Sequence, residues 1–341
     1  MRSELLPRLR CPRCHADGSL TIAEQTVLSG GEIREARLSC AACGEARSVT
    51  AGIVDLMPPD LPAFVSAESA GLDRFAATMR ADGWTRETVL ELPYRRRDGY
   101  WSAQAAAMHQ TLRTRELGLA PRKTILDVGS NTCWASALLA GQGMNVTALD
   151  INAGEMQGLG TADWWFEQND VYFDRVLGVM FDLPFADAAF DFVWCCGVLH
   201  HNHRSNLYRT MREVRRVLKP GGSAIVVNEP CRSVRNPKLR PGHEVAEYEG
   251  HEHVYQPATY RRAARRAGLR VTIVYPWTVR MFRPFAFELP EETTVRRAAW
   301  IFIVHVLRHV PALRRATLAY KQHVDGRAAV HMIATRPEVE V

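Results

Sequence analysis

Two acids stand where two buried strands end. Asp127 closes the apolar run 124–128, and Asp150 follows the run 146–149. Between them lie a turn of small residues and a short helical stretch, 135–140, stopped by Gly141 and Gly143. In such a β-α-β unit, an acid just past the second strand is placed to accept hydrogen bonds from both hydroxyls of a ribose. A second chemistry is written near the N-terminus. Cys11, Cys14, Cys40 and Cys43 form two Cys-x-x-Cys turns, which can bring four thiolates into a tetrahedron around one Zn²⁺. Four sulfurs close that shell, so the metal would be structural rather than catalytic. The third chemistry is proton transfer. His200 and His201 follow the apolar run 190–194, Glu229 follows the run 223–227, and His251 and His253 lie in the polar stretch beyond it. A histidine beside an acceptor can take the proton of a hydroxyl or amine near neutral pH. The His251-x-His253 pair could instead ligate a metal, with no third ligand assured.

The turn after Asp127 narrows the choice of nucleoside. A dinucleotide site wants G-x-G-x-x-G so that the backbone can approach a pyrophosphate. Here those positions hold Gly129, Asn131 and Trp134. An indole in the third place argues for a cofactor without a phosphate, such as S-adenosylmethionine (SAM). The plain alternative is a scaffolding turn with no ligand.

Further along come Asp182-Leu-Pro-Phe185, Phe190-Asp-Phe-Val-Trp194, Val198-Leu-His-His201 and Lys219-Pro-Gly-Gly222. Between the last two, Leu207, Met211, Val214 and Leu218 fall on one helical stripe, with Arg209, Arg212, Arg215 and Arg216 off it. Pro220 and the glycine pair are expected to stop that helix before a strand at 223–227. In this order the elements resemble the class I SAM-dependent methyltransferases, over about residues 123–230. The resemblance implies an α/β Rossmann-like sheet of seven strands in the order 3-2-1-4-5-7-6 and in-line methyl transfer from SAM. Carried over position by position, Asp127, Gly129 and Ser130 line the methionine end of the cofactor, in one loop with Asn131. Asp150 takes the ribose and Ile151 packs on the adenine. Phe181 and Asp182 border the adenine, and Cys196 sits by the sulfonium. Asn131 and Cys133 depart from the glycines usual in this loop. Cys133 and Cys195 also read as ordinary buried packing.

The elements that must hold these residues divide the chain into 1–60, 61–120 and 121–341. The first segment contains a plausible hairpin, 20–27 against 32–39, around Ser29-Gly30-Gly31. It resembles the Trm112-like zinc ribbons, on "CPRC" and "CAACGEARSVTAGIVDLMP". In that group the ribbon often supports or activates a methyltransferase. The second segment reads as a helical cap. The third is the catalytic domain, with an aromatic, basic-edged helical insertion at about 277–325 that fits a lid, a homodimer surface or a peripheral membrane contact.

Composition sets outer limits. The 341 residues are 47% hydrophobic and 23% charged, a globular balance. A net charge of +6 suits anionic partners without choosing among them. The spacing of the eight cysteines points to a reducing, cytoplasmic setting with metal rather than disulfides. No apolar run reaches the roughly 18 residues of a membrane span. The expected partner is a small-molecule, saccharide or secondary-metabolite acceptor. RNA is the alternative substrate, disfavoured by scattered basic residues, and a non-catalytic binding module is the third reading.

Overall fold

The computed structural model describes residues 1–27, 31–94, 99–235, 253–273, 299, 302–303, 306–307, 309–320, 323–324 and 329–338. Among them, eleven strands form one sheet. They are β1 (Leu20–Val27), β2 (Ile33–Cys40), β3 (Ala46–Thr50), β4 (Ile53–Asp55), β5 (Thr124–Val128), β6 (Asn145–Asp150), β7 (Asp174–Leu177), β8 (Phe190–Cys196), β9 (Leu218–Glu229), β10 (Arg270–Ile273) and β11 (Val330–Thr335). The spatial order is β1-β2-β3-β4-β7-β6-β5-β8-β9-β11-β10. From β7 to β10 this is the expected 3-2-1-4-5-7-6. The addition is at the edge. The cysteine ribbon is not a separate small sheet, because β4 pairs in parallel with β7 (Val54 with Val176) and carries the sheet through both parts.

The central strands are buried on both faces, as parallel strands covered by helices must be. Every residue of β5 is buried. Its side chains alternate between two cores: Leu126 joins one, with Val193 and Cys195 of β8, and Ile125 joins the other, with Phe192 and Trp194. The helices are α1 (Ala63–Ala81), α2 (Arg86–Leu90), α3 (Gly99–Arg113), α4 (Trp134–Gly141), α5 (Ala162–Asn169), α6 (Arg204–Val217), α7 (Pro257–Arg266) and α8 (Pro311–Tyr320). On α6, Leu207, Met211 and Val214 are buried as the stripe predicts, and Val217 is buried with them. The stop differs from expectation. The helix ends at Val217 and Leu218 already belongs to β9, so Pro220, Gly221 and Gly222 form an irregularity within the strand, where the register jumps between Phe190 and Phe192.

The seam between ribbon and catalytic sheet is charged as well as apolar. Arg175 of β7, 1% exposed, contacts Glu32 at 2.7 Å and Asp163 at 2.8 Å, and Arg34 of the ribbon reaches the same Asp163 at 2.8 Å. Ribbon residues Leu38 and Val49 share one core with Leu126 and Val176. Much of the 277–325 insertion lies outside the described residues. Among the described residues, no helix is long and apolar enough to cross a membrane.

Candidate active site and metal centre

The exits of β5, β6, β7 and β8 meet α1 and α3 around a cleft. Ligands of open α/β sheets bind at such carboxyl ends. Asp127, Gly129, Ser130 and Asn131 line it from β5, Asp150 and Ile151 from β6, Phe181 from the loop after β7, and Cys196 from β8. Asp182 does not line it. Its carboxylate faces the ribbon instead, 3.5 Å from Nε2 of His15.

The loop after β5 keeps glycine geometry with only one glycine. Gly129, Asn131 and Cys133 have φ of 68°, 46° and 57°. A Cβ on Gly129 would collide with the branched side chain of Val198, so only glycine fits there. The other two accept a left-handed backbone at about 1–2 kcal/mol each. Hydrogen bonds offset that cost: Asn131 N–H donates to Asp150 Oδ2 (2.8 Å) and Cys133 N–H to the Ser130 carbonyl (2.8 Å). Trp134, the indole that argued against a pyrophosphate cradle, packs edge-on against Trp101 of α3.

Two buried carboxylates dominate the electrostatics. Asp127 accepts a hydrogen bond from Ser136 Oγ at 2.6 Å, and burial pushes its pKa up to about 7. Asp150 accepts from the N–H groups of Asn131 and Asn152, at 2.8 and 3.0 Å, and burial raises its pKa to about 6. Neither has a cationic partner among the described residues. Each acid is costly to ionise where it sits, which suits a ligand that brings positive charge. SAM carries a sulfonium and an ammonium, and its ribose offers two donors to Asp150. The residues present therefore fit that cofactor.

A pH dependence follows. In the empty protein both folded pKa values lie above the unfolded carboxylate value. Their burial therefore costs stability above pH 7, and that cost is relieved as pH falls toward 4. A bound cation favours the ionised forms, so SAM affinity should fall as pH drops through 7 and then 6, approaching tenfold per unit for each carboxylate. Calorimetry near pH 6.5 in buffers of different ionisation enthalpy should register proton release on binding. Affinity that is flat between pH 5.5 and 8 would contradict this.

The proposed proton-handling residues separate in space. His201 lines the cleft, with Nδ1 2.6 Å from Glu68 Oε1. Glu68, on α1, is 7% exposed and also lines the cleft. Sequence reasoning missed it; the available signal was an acid on the buried stripe with Val65, Ala76 and Met79. His200 and Glu229 do not line the cleft. Glu229 is fully buried and accepts from the N–H groups of Val198 (2.7 Å), Leu199 (2.8 Å) and His200 (3.3 Å), while its Oε2 lies 3.1 Å from His200 Nδ1. That arrangement anchors the 199–201 turn. His253 packs beside His203 and Tyr255, away from the cleft lining. His251 lies outside the described residues.

In the ribbon, the sulfurs of Cys11, Cys14, Cys40 and Cys43 all lie within 4.8 Å of one another. Cys11 to Cys43 and Cys14 to Cys40 are each 3.7 Å. A tetrahedron with Zn–S bonds of about 2.3 Å has edges of about 3.8 Å. The four residues thus fit a Zn²⁺ ion.

Residues 126–226 match the methyltransferase domain family. The chain is 37% identical over 105 residues to the biotin biosynthesis bifunctional protein BioHC of Cellvibrio japonicus, covering 31% of this chain and 19% of that protein. It is 28% identical over 131 residues to the 27-O-demethylrifamycin SV methyltransferase of Amycolatopsis mediterranei, covering 36% and 47%. The chain thus spans less than half the length of these curated relatives. Among solved structures, it resembles a complex of the Haloferax volcanii Trm112 methyltransferase activator with a methyltransferase (TM-score 0.50, 21% identity, 80% of this chain and 99% of that one). The class defined by fold and motif order is the class I SAM-dependent methyltransferase. Residues 126–226 carry such a domain, and a four-cysteine ribbon precedes it in the chain.

Proposed function

We propose that the protein transfers a methyl group from SAM to a hydroxyl or amine of a small-molecule acceptor, with His201 and Glu68 removing the acceptor's proton and Zn²⁺ holding the ribbon. The observation that carries this reading is the pair of buried acids, Asp127 and Asp150, facing one cleft without a cationic partner among the described residues. SAM supplies an electrophilic methyl group on a sulfonium. Asp127 and the glycine turn bind its amino-acid end, Asp150 its ribose, and Ile151 and Phe181 its adenine.

His201 stands on the same cleft, at the β8 exit. The Glu68 carboxylate, 2.6 Å from Nδ1, is placed to stabilise the imidazolium that forms, with Nε2 as the nitrogen offered to the acceptor. As the methyl moves, that nitrogen takes the acceptor's proton. Phe64, Trp101 and Trp134 narrow the cleft and exclude water. A small acceptor is favoured by this half-enclosed aromatic lining, and the rifamycin methyltransferase acts on an acceptor of that class by its name.

Tritiated SAM offered with a panel of hydroxylated and amine acceptors tests the reading. For an acceptor that is labelled, His201→Gln should lower kcat by about 10²–10⁴-fold. Glu68→Gln should lower it less and flatten the pH profile. Both should bind S-adenosylhomocysteine (SAH) normally. Unchanged kcat in His201→Gln would remove the base from the mechanism.

A further inference from the structure

A second cavity lies at the start of α7, lined by Arg204, Arg232 and Arg262 together with Tyr255 and Thr259. Three guanidiniums around one hollow repel one another unless an anion sits between them. Other arginines of the molecule do hold carboxylates: Arg216 pairs with Glu213 and Asp187, and Arg34 with Asp163. Among the described residues, no carboxylate forms an ion pair with Arg204, Arg232 or Arg262. Arg232 Nε is in addition a buried donor with no hydrogen-bond partner among the described residues, which calls for an acceptor. The helix adds to the field. The first turn of α7 opens with Pro257, and Gln256 provides no side-chain cap, so the positive end of the helix faces the cavity unblocked.

The cavity is tied to the methyl-transfer cleft by one short segment. His201 and Asn202 line the cleft, and Arg204 lines the arginine cavity. Tyr255, on the cavity wall, donates its hydroxyl proton to the Asn202 carbonyl at 2.6 Å. Three residues span at most about 10 Å. The arginine cavity and the methyl-transfer cleft are therefore neighbours along one short stretch of chain.

We propose that the arginine cavity binds a phosphoryl group and that it anchors the methyl acceptor by that group, beside the segment that carries His201. The anion site stands on its own observations; only its role in holding the acceptor rests on the proposed methyl transfer. Three guanidiniums match the doubly charged, many-acceptor phosphoryl group better than a lone carboxylate.

Calorimetric titration of the zinc-loaded full chain with pyrophosphate, and separately with SAH, tests both parts. Pyrophosphate should bind saturably to one site. Arg232→Gln should weaken it by about tenfold or more, the loss expected for a charge-assisted hydrogen bond. The triple replacement of Arg204, Arg232 and Arg262 by Gln should abolish it, with SAH affinity unchanged and the melting temperature confirming the fold. No saturable binding, or equal affinity in the triple variant, overturns the site. A second titration series uses ω-hydroxyalkyl phosphates of stepped chain length in the presence of SAH. One length should bind more tightly than inorganic phosphate. Equal binding at every length makes this a site for free phosphate and overturns the acceptor role. A single-stranded RNA oligomer binding far more tightly than any ester overturns the small-molecule assignment. If pyrophosphate binds while SAH does not, the methyl-transfer reading fails and the anion site remains.

Discussion

Replacing Asp150 by alanine is expected to weaken SAH binding by about 10²–10³-fold, the loss of two hydrogen bonds to a charged group. The carboxylate sits at the end of β6, and its Oδ2 and Oδ1 already accept from the N–H groups of Asn131 and Asn152. A carboxylate has about four lone-pair sites, so capacity remains for a ribose diol. The alanine variant also frees those two amides, and part of the loss will come from relaxation of the 129–133 loop. Asp150→Asn separates the two effects. It keeps one acceptor oxygen and the side-chain volume, so it should retain more of the thermal stability than alanine while still losing much of the affinity. His201→Ala serves as the opposite control, with normal SAH binding. Titration of all three variants, alongside their melting curves, gives the comparison. Equal SAH affinity in wild type and Asp150→Ala would mean that the ribose lies elsewhere.

The second large effect concerns the metal. Chelation of zinc, or Cys40→Ser, should lower the melting temperature of the whole chain and not of the ribbon alone. A closed four-thiolate site contributes folding free energy outright in small zinc domains. Here the ribbon also fills the same core as β5 and β7 and covers the β7 edge through β4. Losing as little as about 4 kcal/mol would shift the melting point by roughly 8–16 °C in a domain of this size. Cofactor binding should weaken as well. The loop at 182–187 leans on the ribbon: Arg10 N–H donates to the Pro184 carbonyl at 3.1 Å, Ala186 N–H donates to the Arg8 carbonyl at 2.7 Å, and Leu9 bridges Phe185. Phe181, just before this loop, lines the cleft. Metal content by plasma emission, melting curves and SAH titration on the same samples check each step. A metal-free protein with unchanged melting temperature would contradict the structural role.

Part of this was readable from residue order. The β5-turn-α4-β6 unit could be read because its periodicity is local and its punctuation explicit: an apolar run, Gly129, a small-residue helix, Gly141 and Gly143, then Asp150. The ribbon hairpin was likewise local, with Leu20 to Val27 pairing against Ile33 to Cys40. What escaped depends on distant partners. The strand β4 has only three residues, and its parallel mate lies about 120 positions away, so nothing near Ile53 announces the pairing. Glu68 looked like one acid in an apolar helix until α1 docked over the β8 exit and brought it to His201. Glu229 looked catalytic because it follows a strand at the right edge, yet the turn it anchors uses its lone pairs on backbone amides. The loop at Asn131 and Cys133 departed from glycine in residue type while keeping glycine's φ, a property no residue name carries.

Calorimetric titration of SAH into the zinc-loaded chain tests the central claim most directly. One-to-one saturable binding, accompanied by proton release near pH 6.5 and lost in Asp150→Ala, is the expected result. No heat of binding at millimolar ligand on folded, metallated protein, or occupation of the same cleft by a phosphorylated nucleotide instead, would contradict it.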